Sequence, residues 1–135
     1  PLFNEREVSH MVDVKVLVKF GLRLWLWATT LLVLLGGWAI VDKRKQAYLL
    51  GVKRGGWLTL ILTATLGILA AIDFTAFFTQ FHHLFFEGDT WLFLYSDTLI
   101  RLFPMRFWRD AFLMEGIIVV GGGLALALGL KPRQG

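Results

Sequence analysis

An all-α integral membrane protein with three transmembrane helices is the fold class this sequence predicts, and three observations predict it. Hydrophobic residues make up 56% of the 135 positions, and the mean hydropathy is +0.63. A water-soluble domain of this size has too little interior to hide that much apolar surface. The apolar residues also gather in three stretches, residues 24–41, 56–81 and 111–130. Each is near or above the roughly 20 residues that carry a helix across about 30 Å of hydrocarbon. Finally, in lipid a lone segment satisfies its backbone only as a helix, which settles the type of each span.

Taken in order, residues 1–23 form an outer, amphipathic lead-in. Asn4 followed by Glu7 is the spacing of a capping box, with Glu5 also in the first turn. Lys15, Lys19 and Arg23 recur every four residues and stack on one helical face. Val12 to Val16 alternates apolar and charged as a strand would, but one long helix running into the first span is the favoured reading. A short connection carries Lys43, Arg44, Lys45, Lys53 and Arg54, and the tail adds Lys131 and Arg133. By the positive-inside rule this end faces the cytoplasm and the chain start faces outward. The second span, 56–81, is expected as one helix with Asp73 inside it. A carboxylate there costs about 2.5–3.5 kcal/mol on insertion scales, so it should pair with another helix, Arg23 being a candidate. Residues 82–110, punctuated by Gly88 and Pro104, are too apolar for a solvated loop and should lie on the outer membrane surface. Gly36, Gly37, Gly121, Gly122 and Gly123 suit close helix packing. The whole, 1–135, reads as a single transmembrane domain.

Composition also narrows function. Without cysteine there is no disulfide, thiol nucleophile or thiolate metal site. A formal charge of +4, dispersed along the chain, argues against nucleic acid. The opening "PLFNEREVSH" is not a signal peptide and reads as the middle of a longer protein. No phosphate loop, zinc motif or serine-nucleophile setting is present, and neither metal nor cofactor is expected.

"FTQFHHLFFEGDTW", from Phe78 to Trp91, sets polar groups into an aromatic ring directly after an apolar run. Polar residues ordinarily mark where a span emerges. Two histidines from different helices at one membrane level, His10 and one of His82 and His83, also make a pair able to divide acid and base roles. Asp13, one turn after His10, is placed to orient that ring and support its cation.

"FNEREVSHMVDVKVL", "FHHLFFEGDTW" and "SDTLIRLFPMRFWRD" resemble, in order and over nearly the whole chain, the paired signatures of the bacterial lipoprotein intramolecular transacylases (Lit). The resemblance implies four membrane helices and an extracellular cap, of which this chain would hold the last three helices. It implies a multi-pass protein of the bacterial cell membrane with an active site on the extracellular side. The catalytic pair it implies is His10 in "SHM" and His82 in "FHHLFF", whereas His83 stands where members commonly carry an acidic or other residue. Asp13, Phe78, Phe81, Phe85, Phe86, Trp91 and Asp97 would bind substrate or support the histidines. "SDTLI" replaces a common proline after the aspartate, which alters the backbone near Asp97.

The implied partners are membrane lipid and a lipoprotein whose N-terminal cysteine bears a diacylglyceryl thioether. The reaction would move the sn-2 acyl chain to that cysteine's own α-amine, giving the lyso-form. Attack closes an eight-membered ring within the substrate, so no enzyme nucleophile is required. What remains is orientation and proton transfer, which aromatic walls and two imidazoles suit. Two rival readings stand beside this one: a non-enzymatic subunit of a transporter or secretion complex, and a membrane protein holding haem between His10 and His82.

Overall fold

The computed structural model describes residues 2–132; Arg133 of the basic tail lies outside the described residues. Among these, the chain is helix and turn with no strand: α1 (Glu5–Val41), α2 (Lys45–Ile72), α3 (Phe74–Phe85), α4 (Thr98–Leu102) and α5 (Met105–Gly129). α1, α2 and α5 are long and apolar enough to cross a membrane. α1, at 37 residues, is about 56 Å long, well beyond the ~30 Å of hydrocarbon. The alternating stretch Val12 to Val16 lies within α1 and is helical.

The capping box forms at the start of α1. Asn4 N–H donates to Glu7 Oε2 at 2.7 Å, and Glu7 N–H donates to Asn4 Oδ1 at 2.9 Å. At the other end Lys43 takes a left-handed backbone (φ 56°), Arg44 N–H reaches Ala39 O at 2.8 Å and Lys43 N–H reaches Ile40 O at 3.4 Å. That is a Schellman closure built on a lysine instead of the usual glycine. Arg44 pairs with Asp42 at 2.6 Å and lies over the Trp38 ring at 5.6 Å.

The stretch read as one span over 56–81 is two helices, and Asp73 is the reason. Its backbone is extended (φ −152°, ψ 98°) and its carboxylate accepts from Ala76 N–H at 2.9 Å, which caps α3. Aspartate is a poor interior helix residue and a good N-cap, so the chain breaks where its carboxylate can bond the backbone. The expected ion pair with Arg23 does not form; among the described residues Asp73 has no ion pair. The segment 82–110 is likewise more helical than a surface loop: α3 continues to Phe85, α4 spans Thr98–Leu102, and α5 begins at Met105, directly after Pro104.

The chain divides into two compact units. One holds residues up to Arg23 together with Ile68–Leu113. There, α3 packs on the first turns of α5 through Phe74, Phe77 and Phe112, with Phe77 and Phe112 ring centroids 5.0 Å apart. The other holds Leu24–Gly67 and the residues from Met114 onward. In it α2 and α5 touch through small residues: a Cβ on Gly56 would stand 2.8 Å from Ala127 N and 3.0 Å from Gly123 O. Gly36 similarly admits the Tyr48 ring, while Gly37, Gly121 and Gly122 face open space.

Candidate active site

His10 sits on the second turn of α1, on the face that also carries Arg6 and Glu7. Glu7 is 1% exposed. Its Oε1 accepts from Leu99 N–H at 2.6 Å, so it caps α4 in place of Asp97, which makes no cap bond there. Asp97 instead accepts from Leu94 N–H at 2.8 Å and from Asn4 Nδ2 at 3.4 Å. Thr98 Oγ1 donates to Leu2 O at 2.7 Å. Arg6, one turn before His10, donates to Asp89 O at 3.1 Å and to Leu92 O. Residues 2–7 therefore hold the segment 89–99 in a clasp of five bonds from Leu2, Asn4, Arg6 and Glu7, and His10 follows one turn later on α1.

α3 supplies the second imidazole. Its apolar face carries Phe74, Phe78 and His82 at helical spacing, and His82 is buried. The His82 ring stacks on His10 with centroids 5.8 Å apart and 27° between planes. Phe86, just past the end of α3, lies against both, at 4.8 Å from His10 and 5.4 Å from His82. Phe78 at 4.1 Å, Trp91 at 5.0 Å and Phe81 at 5.7 Å complete the ring around His82. Gly88, with φ +61°, turns the chain between α3 and Trp91, a conformation that a side chain would strain.

The two rings differ in their bonds. His82 Nδ1 lies 2.8 Å from Phe78 O. A carbonyl only accepts, so in the neutral ring the proton is on Nδ1 and Nε2 carries the lone pair. His10 Nδ1 is buried with no hydrogen-bond partner. Both rings titrate below the usual 6.5. For His10 the cause is burial first and the neighbouring His82 second, with Asp13 pulling the other way. For His82 it is burial, opposed by the Phe78 carbonyl and reinforced by His83. The two imidazoles lie side by side, both held towards the neutral form by burial, and His82 further disfavours charge on His10. Among the described residues no group of three or more metal-ligating side chains gathers. An open cleft of about 440 Å³ lies along the same turns of α1, lined by Glu5, Arg6, Ser9, Asp89 and Thr90.

The family profile described as "Lipoprotein intramolecular transacylase Lit" matches residues 1–108, the part of the chain that contains this entire cluster. The chain belongs to the Lit family. A protein of Aquifex aeolicus (strain VF5), described as uncharacterized, is 34% identical over 133 residues, or 98% of this chain. The chain spans 58% of the length of that relative. No solved structure matches it.

Set against the residues that the family resemblance implied, the geometry sorts them. His10, His82, Phe78, Phe81, Phe86 and Trp91 share one cluster. Phe85 touches it only through Phe81, at 4.7 Å. Asp13 is exposed and acts on His10 through its charge alone. Asp97 belongs to the clasp and not to the ring of aromatics. His83 is exposed, meeting Trp91 edge-on at 5.0 Å. Phe93, 5.4 Å from His10, was not anticipated, nor was the clasp made by Arg6 and Glu7. The capping box announced Glu7, but a carboxylate bonding an amide 92 residues away leaves no periodic signal.

Proposed function

We propose that this protein transfers the sn-2 acyl chain of a diacylglyceryl lipoprotein to the α-amine of the lipoprotein's own N-terminal cysteine, with His10 and His82 moving the protons. The observation that carries the reading is the stacked, buried imidazole pair, 5.8 Å apart inside an aromatic enclosure, in a chain of the Lit family. His82, with its lone pair on Nε2, is the base. It takes the proton as the amine nitrogen attacks the ester carbonyl. The pair then returns one proton to the departing glycerol alkoxide. No charged nucleophile is needed, because the attacking group arrives on the substrate. Phe78, Phe81 and Phe86 offer apolar walls that fold the headgroup into its eight-membered ring, an orientation task. The polar cleft beside Ser9 and Asp89 suits the peptide that follows the cysteine.

We place this site on the extracellular side, from the density of basic residues around the opposite turn, Lys43 and Arg44 between α1 and α2 and Lys45, Lys53 and Arg54 in the first three turns of α2. Cysteines substituted at Lys45 and Asp89 should then label from opposite sides of intact cells, with Asp89 the outer one. The haem alternative is disfavoured by Phe86, which packs on both rings where a macrocycle between them would have to lie. The reading is tested by mass spectrometry of a lipoprotein N-terminus after coexpression. The lyso-form should appear with the wild type, vanish with His82→Ala and persist with His83→Ala. Lyso-form production by His82→Ala would reject it.

A further inference from the structure

Among the described residues, two buried polar side-chain atoms have no hydrogen-bond partner, His10 Nδ1 and Trp91 Nε1. Both rings touch His82, at 5.8 and 5.0 Å. Buried donors are rarely left unpaired, because the lost water is not replaced. An indole N–H has no choice of role: it donates. Whatever satisfies Trp91 is therefore an acceptor, and the indole that offers the hydrogen packs against His82.

Trp91 is also fixed in place. Arg6 bonds the carbonyls of Asp89 and Leu92, which bracket it in sequence, and the His83 ring closes against its side at 89°. Trp91 is 8% exposed. A donor held in place and unpaired beside an imidazole is the arrangement that stabilises charge as it develops on a reacting oxygen.

We propose that the Trp91 indole N–H binds the carbonyl oxygen of the sn-2 ester and holds it as an oxyanion during acyl transfer; this rests on the transacylase reading above. As the amine nitrogen bonds to the carbonyl carbon, the carbonyl π pair moves onto oxygen, which accepts the hydrogen bond. His82 takes the amine proton. When the C=O re-forms, the bond from the carbonyl carbon to the glycerol oxygen breaks, and that oxygen takes up the proton. The indole keeps its own proton throughout. Nε1 is buried, so the ester reaches it only as the side chains around it move aside.

The test uses the intact protein in nanodiscs with a synthetic diacylglyceryl lipopeptide, product position being read by fragmentation. Trp91→Phe should lower kcat by about 10²–10³-fold, the loss typical of one oxyanion donor, and leave KM within about threefold. Replacing Trp91 with β-(3-benzothienyl)alanine, which puts sulfur where the N–H was in a ring of the same outline, should lower kcat equally. A loss in the phenylalanine variant alone would show that ring shape mattered and overturn the proposal. So would unchanged kcat in both, or a rise in KM at constant kcat. In those cases the wild type still forms the N-acyl product and the transacylase reading survives. A wild type that forms none overturns both.

Discussion

Glu7 carries the structure's heaviest demand on one side chain. At 1% exposed it offers one oxygen to Asn4 N–H at 2.7 Å and the other to Leu99 N–H at 2.6 Å. Glu7→Gln keeps the shape but turns one acceptor into an NH₂ group facing an N–H. One part-buried bond is then lost, at a cost of up to about 1–3 kcal/mol if the amide is Leu99 and less if it is the exposed Asn4. Glu7→Ala breaks both bonds, the exposed Asn4 amide turning to water and the Leu99 amide bearing most of the cost. With tenfold per 1.4 kcal/mol, Glu7→Ala should accelerate exchange of the Leu99 amide by at least about tenfold. Glu7→Gln should release whichever amide its NH₂ faces by a comparable factor, leaving the other protected. Amide-resolved hydrogen exchange in micelles reads this directly, with the α5 amides Ile117 to Val120 as an internal standard. If Leu99 exchanges equally fast in Glu7→Ala and wild type, Glu7 is not its partner and the clasp is misassigned.

Four further outcomes follow from the same geometry. His10→Ala and His82→Ala should each cost at least about 10²-fold in initial rate, and the double variant little more; Asp13→Asn should be milder, since its charge acts from an exposed position, and losses that multiply would mean independent rings. Because His10 and His82 titrate below 6.5 in the fold and near 6.5 when unfolded, the unfolded chain binds protons first on acidification. Stability gained by burying them neutral is present above pH 6.5 and declines below it; NMR titration of labelled histidine should place both midpoints under 6.5, and midpoints above it would contradict the burial. Gly56→Ala should destabilise by about 1–3 kcal/mol because backbone atoms of α5 stand in the way, whereas Gly55→Ala, facing open space, should stabilise by up to about 1 kcal/mol; equal melting temperatures would refute that crossing. Lys43→Gly should raise stability by about 1 kcal/mol by relieving the left-handed backbone at φ 56°, and no change in thermal unfolding would count against the Schellman closure.

By itself the sequence determined that this chain is helical and apolar enough to cross a membrane in three places, and where α1 begins. Those signals are local. A capping box spans four residues, and an apolar run of twenty has few other ways to satisfy its backbone. The two signatures also singled out His10 and His82 through the family resemblance, and put the aromatics around His82 on the page as neighbours in sequence. The break at Asp73 was hidden because the residues on both sides are apolar, and whether a carboxylate ends a helix or seeks a partner depends on whether the next turn's backbone is free to receive it. Only the tertiary structure decided that Glu7 caps α4, that Arg6 brackets Trp91, that Phe93 reaches His10, and that Gly36 and Gly123 are packing sites while Gly37 and Gly122 are not. Each of these joins segments whose meeting depends on the path of the chain between them. Periodicity records which face of a helix a residue occupies, and holds no record of what that face meets.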